Sequence, residues 1–411
     1  MRHRATEIAS TMALLLVLSF ACGRAPEAPT AEAQGAAIPG LPAGFKLSVY
    51  AEGLGRARHM AFGPAYAKAS AGRPDGKGWV LYVGTNERSG KVWALPDYDG
   101  DGRADENIVF AGDLYAPHSV VWREGWLYIG EGHQVIRARD TNGDLRADEK
   151  EVIVAGLPRG GNHFTRTVGF GPAYAKASLD AARDKSAGKP DGALYVSIGS
   201  SCNACIEENP RRATIMRYEL DENGRVVSEE IHARGLRNAV GFTWHPETKD
   251  LWAVVNGRDL LGDDLPPEEL NLVRKGDDHG WPYCYGNRIP DPDFGSRERC
   301  ARTVPDTFEM QAHSAPLGLA FYTGSMFPAE YRDDLFIAFH GSWNRSVPTG
   351  YKVVRVRFKD GRPVGIENFV DVWYKRGRVE HRPVDVAVGP DGALYISDDS
   401  GGTIFRVTYQ K

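Results

Sequence analysis

A surplus of positive charge is the first thing this sequence lacks: 50 Lys and Arg stand against 54 Asp and Glu, a formal net charge of -4. With a pI near 6.3, no global basic field draws nucleic acid or an anionic membrane, so any positive site must be local. Membrane-length apolar runs are missing too. The run from Met12 to Phe20, behind Arg2 and Arg4, is too short to span a bilayer and reads as an export signal. Long segments of helical period are few. Cysteine is scarce, five in 411 residues, and no second CxxC accompanies Cys202-Asn-Ala-Cys205 to complete a metal knuckle. Ile206 stands where a c-type haem motif needs His.

Glycine is plentiful, at 47 residues, among short runs of Val, Ile, Leu and Tyr, which points to an all-β chain. Residues 1–22 read as the signal, and Ala21-Cys22 resembles a lipoprotein cleavage site, so a lipidated Cys22 is one route to membrane attachment. Residues 23–40, rich in Ala, Pro, Glu and Gln at their start, read as a flexible tether. The expected location is the periplasm or the outer face of a membrane. An oxidising compartment allows three pairings of the four remaining cysteines, and local pairing gives Cys202–Cys205 and Cys284–Cys300.

Residues 41–411 carry a repeated unit: a polar opening, an apolar strand, a turn and a second strand of Leu-Tyr-Val type. Six copies open at His59, His118, Arg166, Arg237, Pro316 and Arg382. Their second strands carry Tyr82, Tyr128, Tyr195, Trp252, Phe336 and Tyr395. A six-bladed β-propeller with loop and short helical insertions follows. Two insertions share the sequence Phe-Gly-Pro-Ala-Tyr-Ala-Lys-Ala-Ser, at Phe62 and Phe170, ahead of Pro74 and Pro190.

One acidic loop is expected between the first two blades, and a second follows one blade later. Asp97, Asp99, Asp101 and Asp105 take positions 1, 3, 5 and 9 of a calcium-loop spacing, as do Asp140, Asn142, Asp144 and Asp148. The first has Gly102 at the sharp turn but Ile108 at position 12; the second has Leu145 there but Glu151 at position 12. Calcium in a structural role is the expectation for the first, while the second is balanced between calcium and a plain turn.

If the six openings share one end of a channel, then Arg58, His59, His118, His163, Arg166, Arg237, Asn238 and Arg382 converge there. Such clustering suits a polycarboxylate or phosphate, with a neutral His as base. These residues also match a family. Asn162-His163-Phe-Thr-Arg166, Ile198-Gly-Ser-Ser, Gly235-Leu-Arg237-Asn238, Glu268-Glu-Leu-Asn271, Asp278-His-Gly-Trp281-Pro282 and Arg382-Pro-Val-Asp385 resemble the soluble glucose/sorbosone dehydrogenases, propeller quinoproteins that use pyrroloquinoline quinone (PQQ).

The resemblance implies a sugar or aldehyde oxidoreductase with His163 as general base and hydride passing to PQQ. It implies PQQ carboxylates held by Arg237, Asn238 and Arg382, and a calcium ion bound by backbone carbonyls of Gly257 and Arg258. His118 and Arg166 are the expected substrate contacts. The chain departs from the pattern where Ser200 replaces a carboxylate, where Val384 replaces an Arg, and in Gly341-Ser-Trp-Asn-Arg345, where a Lys is usual. Arg345 then stands in for the Lys, and Asp385 for the missing acid. Lacking a haem motif, the chain needs a separate electron acceptor, a cytochrome or a quinone. Two other readings are a calcium-dependent propeller lactonase or esterase, which needs carboxylate and Asn ligands at the mouth, and a non-catalytic binding propeller.

Overall fold

The computed structural model describes residues 40–64, 78–172 and 192–410. The signal, the tether, Cys22 and both Phe-Gly-Pro insertions beyond their first residues lie outside this range. Six four-stranded antiparallel sheets follow one another along the chain. Blade 1 is Ala57–Pro64, Trp79–Thr85, Gly90–Pro96 and Ile108–Leu114; blade 2 is Ser119–Arg123, Trp126–Glu131, Gln134–Arg139 and Glu149–Val154. Blade 3 is Val168–Phe170, Leu194–Ile198, Thr214–Leu220 and Val226–Arg234; blade 4 is Gly241–Trp244, Leu251–Val255, Glu268–Val273 and Phe308–Met310. Blade 5 is Pro316–Phe321, Leu335–Phe339, Lys352–Lys359 and Arg362–Val370. Blade 6 takes Pro383–Val388, Leu394–Asp398 and Thr403–Tyr409 from the C-terminus and its outer strand, Phe45–Ala51, from the N-terminus. The register Phe45↔Tyr409 to Ala51↔Ile404 closes the ring.

The aromatic of each second strand explains why the repeat takes this form. Tyr82 stacks on Trp122 of blade 2, with ring centroids 5.6 Å apart, and Tyr128 meets Phe170 of blade 3 at 4.8 Å. Tyr195 meets Trp244 of blade 4 at 5.3 Å, and Tyr395 meets Phe62 of blade 1 at 5.0 Å. All six second-strand aromatics are buried. Each glues its blade to the next, and each such burial is worth about 1.5–3 kcal/mol. The core is accordingly divided into six clusters, one between each pair of neighbouring blades. A seventh, Val240, Leu317 and Val384, comes from three inner strands or their approaches and plugs the axis.

Both expected disulfides form, Cys202–Cys205 and Cys284–Cys300. The second ties the one-turn helix Arg297–Cys300, capped by Ser296, into the long connection before the last strand of blade 4. No helix among the described residues is long and apolar enough to cross a membrane.

The acidic loops sit inside the outer hairpins of blades 1 and 2 rather than between blades. Asp97 Oδ1 accepts from Gly100 N (2.7 Å), and Asp140 Oδ1 accepts from Gly143 N (2.7 Å). Asp101 and Asp144 each accept the amide two residues on, and Asp105 and Asp148 accept from Tyr98 and Thr141. The carboxylates of Asp97, Asp99 and Asp105 come within 4.8 Å of one another. Asn142 donates to Asp148 (3.0 Å). Leu145 takes the left-handed turn (φ 64) that Gly102 takes (φ 86). That costs about 1–2 kcal/mol, but Leu145 is buried in the core between blades 1 and 2, which returns about 1.5–3 kcal/mol. Glu151 pairs with Arg137 (2.6 Å) on the strand and does not complete the loop.

Candidate active site

The inner strands begin at one end of the ring, and their approaches enclose a cavity of about 290 Å³ on the axis. Val240, Ala315 and Leu317 give it an apolar floor, and Arg58, His163, Arg237, Asn238, Glu268 and His340 are in its walls. Trp343, 71% exposed, also lines it.

His163 lies on the segment leading into blade 3. Its Nδ1 is 3.1 Å from Ser200 O and 2.8 Å from Ser200 Oγ. A carbonyl only accepts, and the Ser200 hydroxyl proton is given to Cys202 O (2.8 Å). Nδ1 therefore carries the ring proton, and Nε2 keeps its lone pair. Burial, then the charge of Arg237, pushes the imidazole pKa down to about 3, so the ring is neutral. Gly199 allows this approach: a Cβ there would lie 2.5 Å from His163 Cβ and 2.7 Å from Asn238 Oδ1.

Arg237 enters from the approach to blade 4 and is buried. Its guanidinium donates to Asn203 O (2.8 Å), Asn203 Oδ1 (2.8 Å), Asn256 O (3.1 Å) and Asp259 Oδ2 (3.2 Å). Those bonds use four of its five N–H groups, leaving one on Nη1. Asn203 belongs to the Cys202–Cys205 loop, so one short cross-linked segment orients both His163, through Ser200, and Arg237. Asn238 Nδ2 donates to Asn256 Oδ1 (3.2 Å). Glu268 accepts from Gly257 N (2.9 Å) and Ala315 N (3.0 Å), and burial raises its pKa to about 7.

The opposite wall is a network closed by its own ion pairs, with Arg58 and His340 still lining the cavity. Arg58 donates to His118 Nδ1 (3.1 Å) and Asp399 (2.7 Å), and Asp399 also meets His340 Nε2 (2.8 Å). Burial alone would raise the Asp399 pKa, but His340 and Arg58 hold it below the usual carboxylate range. Beneath them the His59 and His118 rings lie 4.5 Å apart, both kept neutral chiefly by burial.

The structure thus brings His163, Arg237, Asn238 and Gly257 to the cavity and redistributes the other expected site residues. His118 is fully buried beneath Arg58 rather than in the cavity wall. Arg166, also fully buried, donates to the carbonyls of His163 (3.2 Å), Thr165 (2.6 Å) and Pro158 (2.5 Å), so it shapes the His163 segment and offers nothing to a substrate. Arg382 donates to the carbonyls of His340 and Gly341 (3.1 and 2.7 Å) and stands behind the cavity wall. Arg345 bonds Asp263 O (2.6 Å) and pairs with Asp264 (3.3 Å); Trp343 and Asn344 line the cavity in its stead. Arg258 sends its side chain to Asp291 (2.7 Å) and Asp293 (3.0 Å). Asp385 accepts from Met60 N (2.8 Å) under the opposite wall, so it does not replace the missing acid; Ser200 itself occupies that place. The carboxylates and amides of both acidic loops, Asp97, Asp99, Asp101 and Asp105, and Asp140, Asn142, Asp144 and Asp148, lie in outer hairpins and line no part of the cavity.

Sequence reading missed Glu268, Asp259, Asn203, Asn256 and Asn344. Glu268 opens one of the motifs that carry the resemblance, Glu-Glu-Leu-Asn-Leu-Val, but was given no role there. The cavity suits a flat polyanion: it offers Arg58 and Arg237, the apolar floor, the Trp343 ring and Asn344, whose buried Oδ1 has no partner among the described residues.

A six-bladed propeller with an arginine- and histidine-bearing axial cavity is the class that fold and site define. The TrAA12-like family profile matches residues 39–410, and the chain belongs to that family. An uncharacterized Borreliella burgdorferi protein is 38% identical over 226 residues, 53% of this chain and 58% of that one. The PQQ-dependent pyranose dehydrogenase of Coprinopsis cinerea is 26% identical over 325 residues, 64% of this chain and 42% of that one. The chain therefore spans about half the length of the curated relatives it matches. The holo PQQ domain of the Coprinopsis enzyme superposes with a TM-score of 0.68 at 21% identity, covering 90% of this chain and 96% of that one. The calcium structure of a Trichoderma reesei enzyme of carbohydrate-active family AA12 gives a TM-score of 0.69 at 22% identity, covering 90% and 96%. At these identities the likeness to the solved structures is one of fold.

Proposed function

We propose that this protein is a PQQ-dependent oxidoreductase that oxidises a CH–OH group of an aldose or related sugar or aldehyde. The observation that carries the reading is His163, with Nδ1 committed to Ser200 and Nε2 left on the wall of an arginine-lined cavity. When bound, the quinone supplies the hydride acceptor, and a calcium ion beside it polarises its carbonyl. Arg237, through its remaining N–H, and Arg58 would receive the cofactor carboxylates, with Asn238 and Asn344 as neutral partners. Calcium would find oxygen in the backbone carbonyls of Gly257 and Arg258. His163 Nε2 takes the hydroxyl proton of the substrate, and the floor of Val240 and Leu317 excludes water beneath it.

Electrons leave to a separate acceptor, a cytochrome or quinone; Cys202 and Cys205 are joined to each other and offer no thiols for haem attachment. The lactonase reading needs free carboxylates at the mouth. Glu268 is held by two backbone N–H groups, and Asp259 by Arg237 and Asn344. A structural calcium in the Asp97–Asp105 loop and export to the periplasm or outer membrane face belong to the same reading, and the two disulfides fit an oxidising compartment. Purified protein supplied with PQQ and calcium should reduce a dye in the presence of aldoses; no reduction across an aldose panel, with PQQ bound, would sink the proposal.

A further inference from the structure

A second cleft, of about 570 Å³, opens beside the axial cavity and shares two of its wall residues, Asn86 and Phe164. Phe164 follows His163 directly, so the two spaces meet at the proposed base. Tyr115 lines the far side of the cleft. Its ring packs edge-on against His133, with centroids 5.6 Å apart, and lies over Gly132, where a Cβ would be 2.8 Å from the ring. It is 38% exposed all the same. A tyrosine fixed in this way presents a rigid, amphipathic face at little entropic cost to a ligand. Gly160 and Gly161 also line the cleft, and a Cβ at Gly160 would meet nothing within 4 Å.

The polar groups are charged unequally. Arg56 and Arg88 line the cleft, and neither guanidinium has a hydrogen-bond or ion-pair partner among the described residues. The carboxylate of Glu87, the acidic residue of the lining, already accepts from Arg56 N (3.0 Å). A pyranose ring has an apolar C–H face for Tyr115 and a hydroxyl edge for Asn86. Two guanidinium groups without a partner among the described residues ask in addition for an anion.

We propose that this cleft is a subsite for a second sugar unit bearing a carboxylate, so that the substrate is an acidic disaccharide or longer glycan whose reducing unit sits at His163. The inference rests on the oxidoreductase reading and names its substrate class. Turnover of glucose, cellobiose and cellobiouronic acid by the PQQ- and calcium-loaded protein tests it, with isothermal titration of cellobiouronic acid in parallel. The acidic disaccharide should exceed cellobiose in kcat/KM by about tenfold at low salt, the scale of one charge-assisted contact. The gap should narrow as salt is raised. Tyr115→Ala should lower kcat/KM for both disaccharides about tenfold and leave glucose within about twofold, as expected when a stacking face outside the reacting centre is removed. Arg56→Ala and Arg88→Ala should abolish the preference for the acid. Glucose oxidised as well as both disaccharides, with no effect of Tyr115→Ala, would overturn the subsite and leave the oxidoreductase standing. No oxidation of any sugar, with cellobiouronic acid still bound in an Arg56- and Arg88-dependent way, would do the reverse; absence of that binding would overturn the subsite as well.

Discussion

The two walls of the axial cavity contain the same residue types and use them oppositely. On the side of blades 3 and 4, His163 and Arg237 are held from behind by Ser200, Asn203 and Asn256, and each keeps one functional atom on the cavity. On the side of blades 6 and 1, Arg58, Asp399 and His340 are bonded to one another, and His59 and His118 lie under them. A histidine becomes available for chemistry when its backing satisfies one nitrogen and leaves the other facing open space. One sealed from the cavity, as His118 is, can only support the wall.

The largest effect expected from this contrast is on turnover. His163→Gln should cut kcat by about 10²-fold or more, the usual contribution of a positioned base, while PQQ titration still shows binding. His118→Gln should leave kcat within a few-fold and lower the thermal midpoint instead. Equal turnover losses in both variants would erase the distinction between the walls.

Next comes cofactor affinity. Arg237→Ala should weaken PQQ by about 1.5–3 kcal/mol, the worth of a charge-assisted bond, with turnover partly recovered at high cofactor. Arg382→Ala, which removes contacts to the His340 and Gly341 carbonyls and to the Tyr351 ring, should cost less. Equilibrium titration of apoprotein ranks the two, and the reverse order would restore Arg382 as the direct anion ligand.

The pH dependence sharpens the role of Ser200. The working form of His163 is neutral, so activity is lost as pH falls through its pKa, and burial with Arg237 places that acid limb below the ordinary histidine value. Ser200→Asp puts a carboxylate on Nδ1, which favours the protonated ring and moves the limb to higher pH. A kcat/KM–pH profile unchanged by the substitution would show that Ser200 does not tune the base.

The smallest effect belongs to the closed wall. Burial raises the pKa of Asp385 to about 7, so between about pH 4 and 7 the folded state holds a proton that the unfolded chain has lost. The Asp385 contribution therefore falls as pH rises across that window. Asp385→Asn should flatten this part of the plot of thermal midpoint against pH; an unchanged slope would mean that Asp385 is ionised in the fold.

The propeller was legible because each blade needs its apolar strand and aromatic glue, and both repeat in the sequence. His163, Arg237 and Asn238 were legible because each lies just before an inner strand, where the approach to the axis is forced. Arg382 and Arg345 misled for a physical reason. Position along the chain brings an arginine near the mouth, but which of several nearby carbonyls takes its donors depends on loop geometry. Glu268 and Asn203 were hidden in a strand and a cross-linked loop whose cavity-facing atoms no local spacing reveals.

The strand Phe45–Ala51, which completes blade 6 against Thr403–Tyr409, imposes a timetable on synthesis. It leaves the ribosome roughly 20 to 70 s ahead of its partner at ordinary elongation rates. Throughout that wait it is an unpaired edge, open to misjoining with other strands. The final pairing must also close a loop of nearly the whole chain, which slows folding far more than it weakens the finished ring. Whatever shields that strand until its partner arrives therefore favours correct closure of the ring.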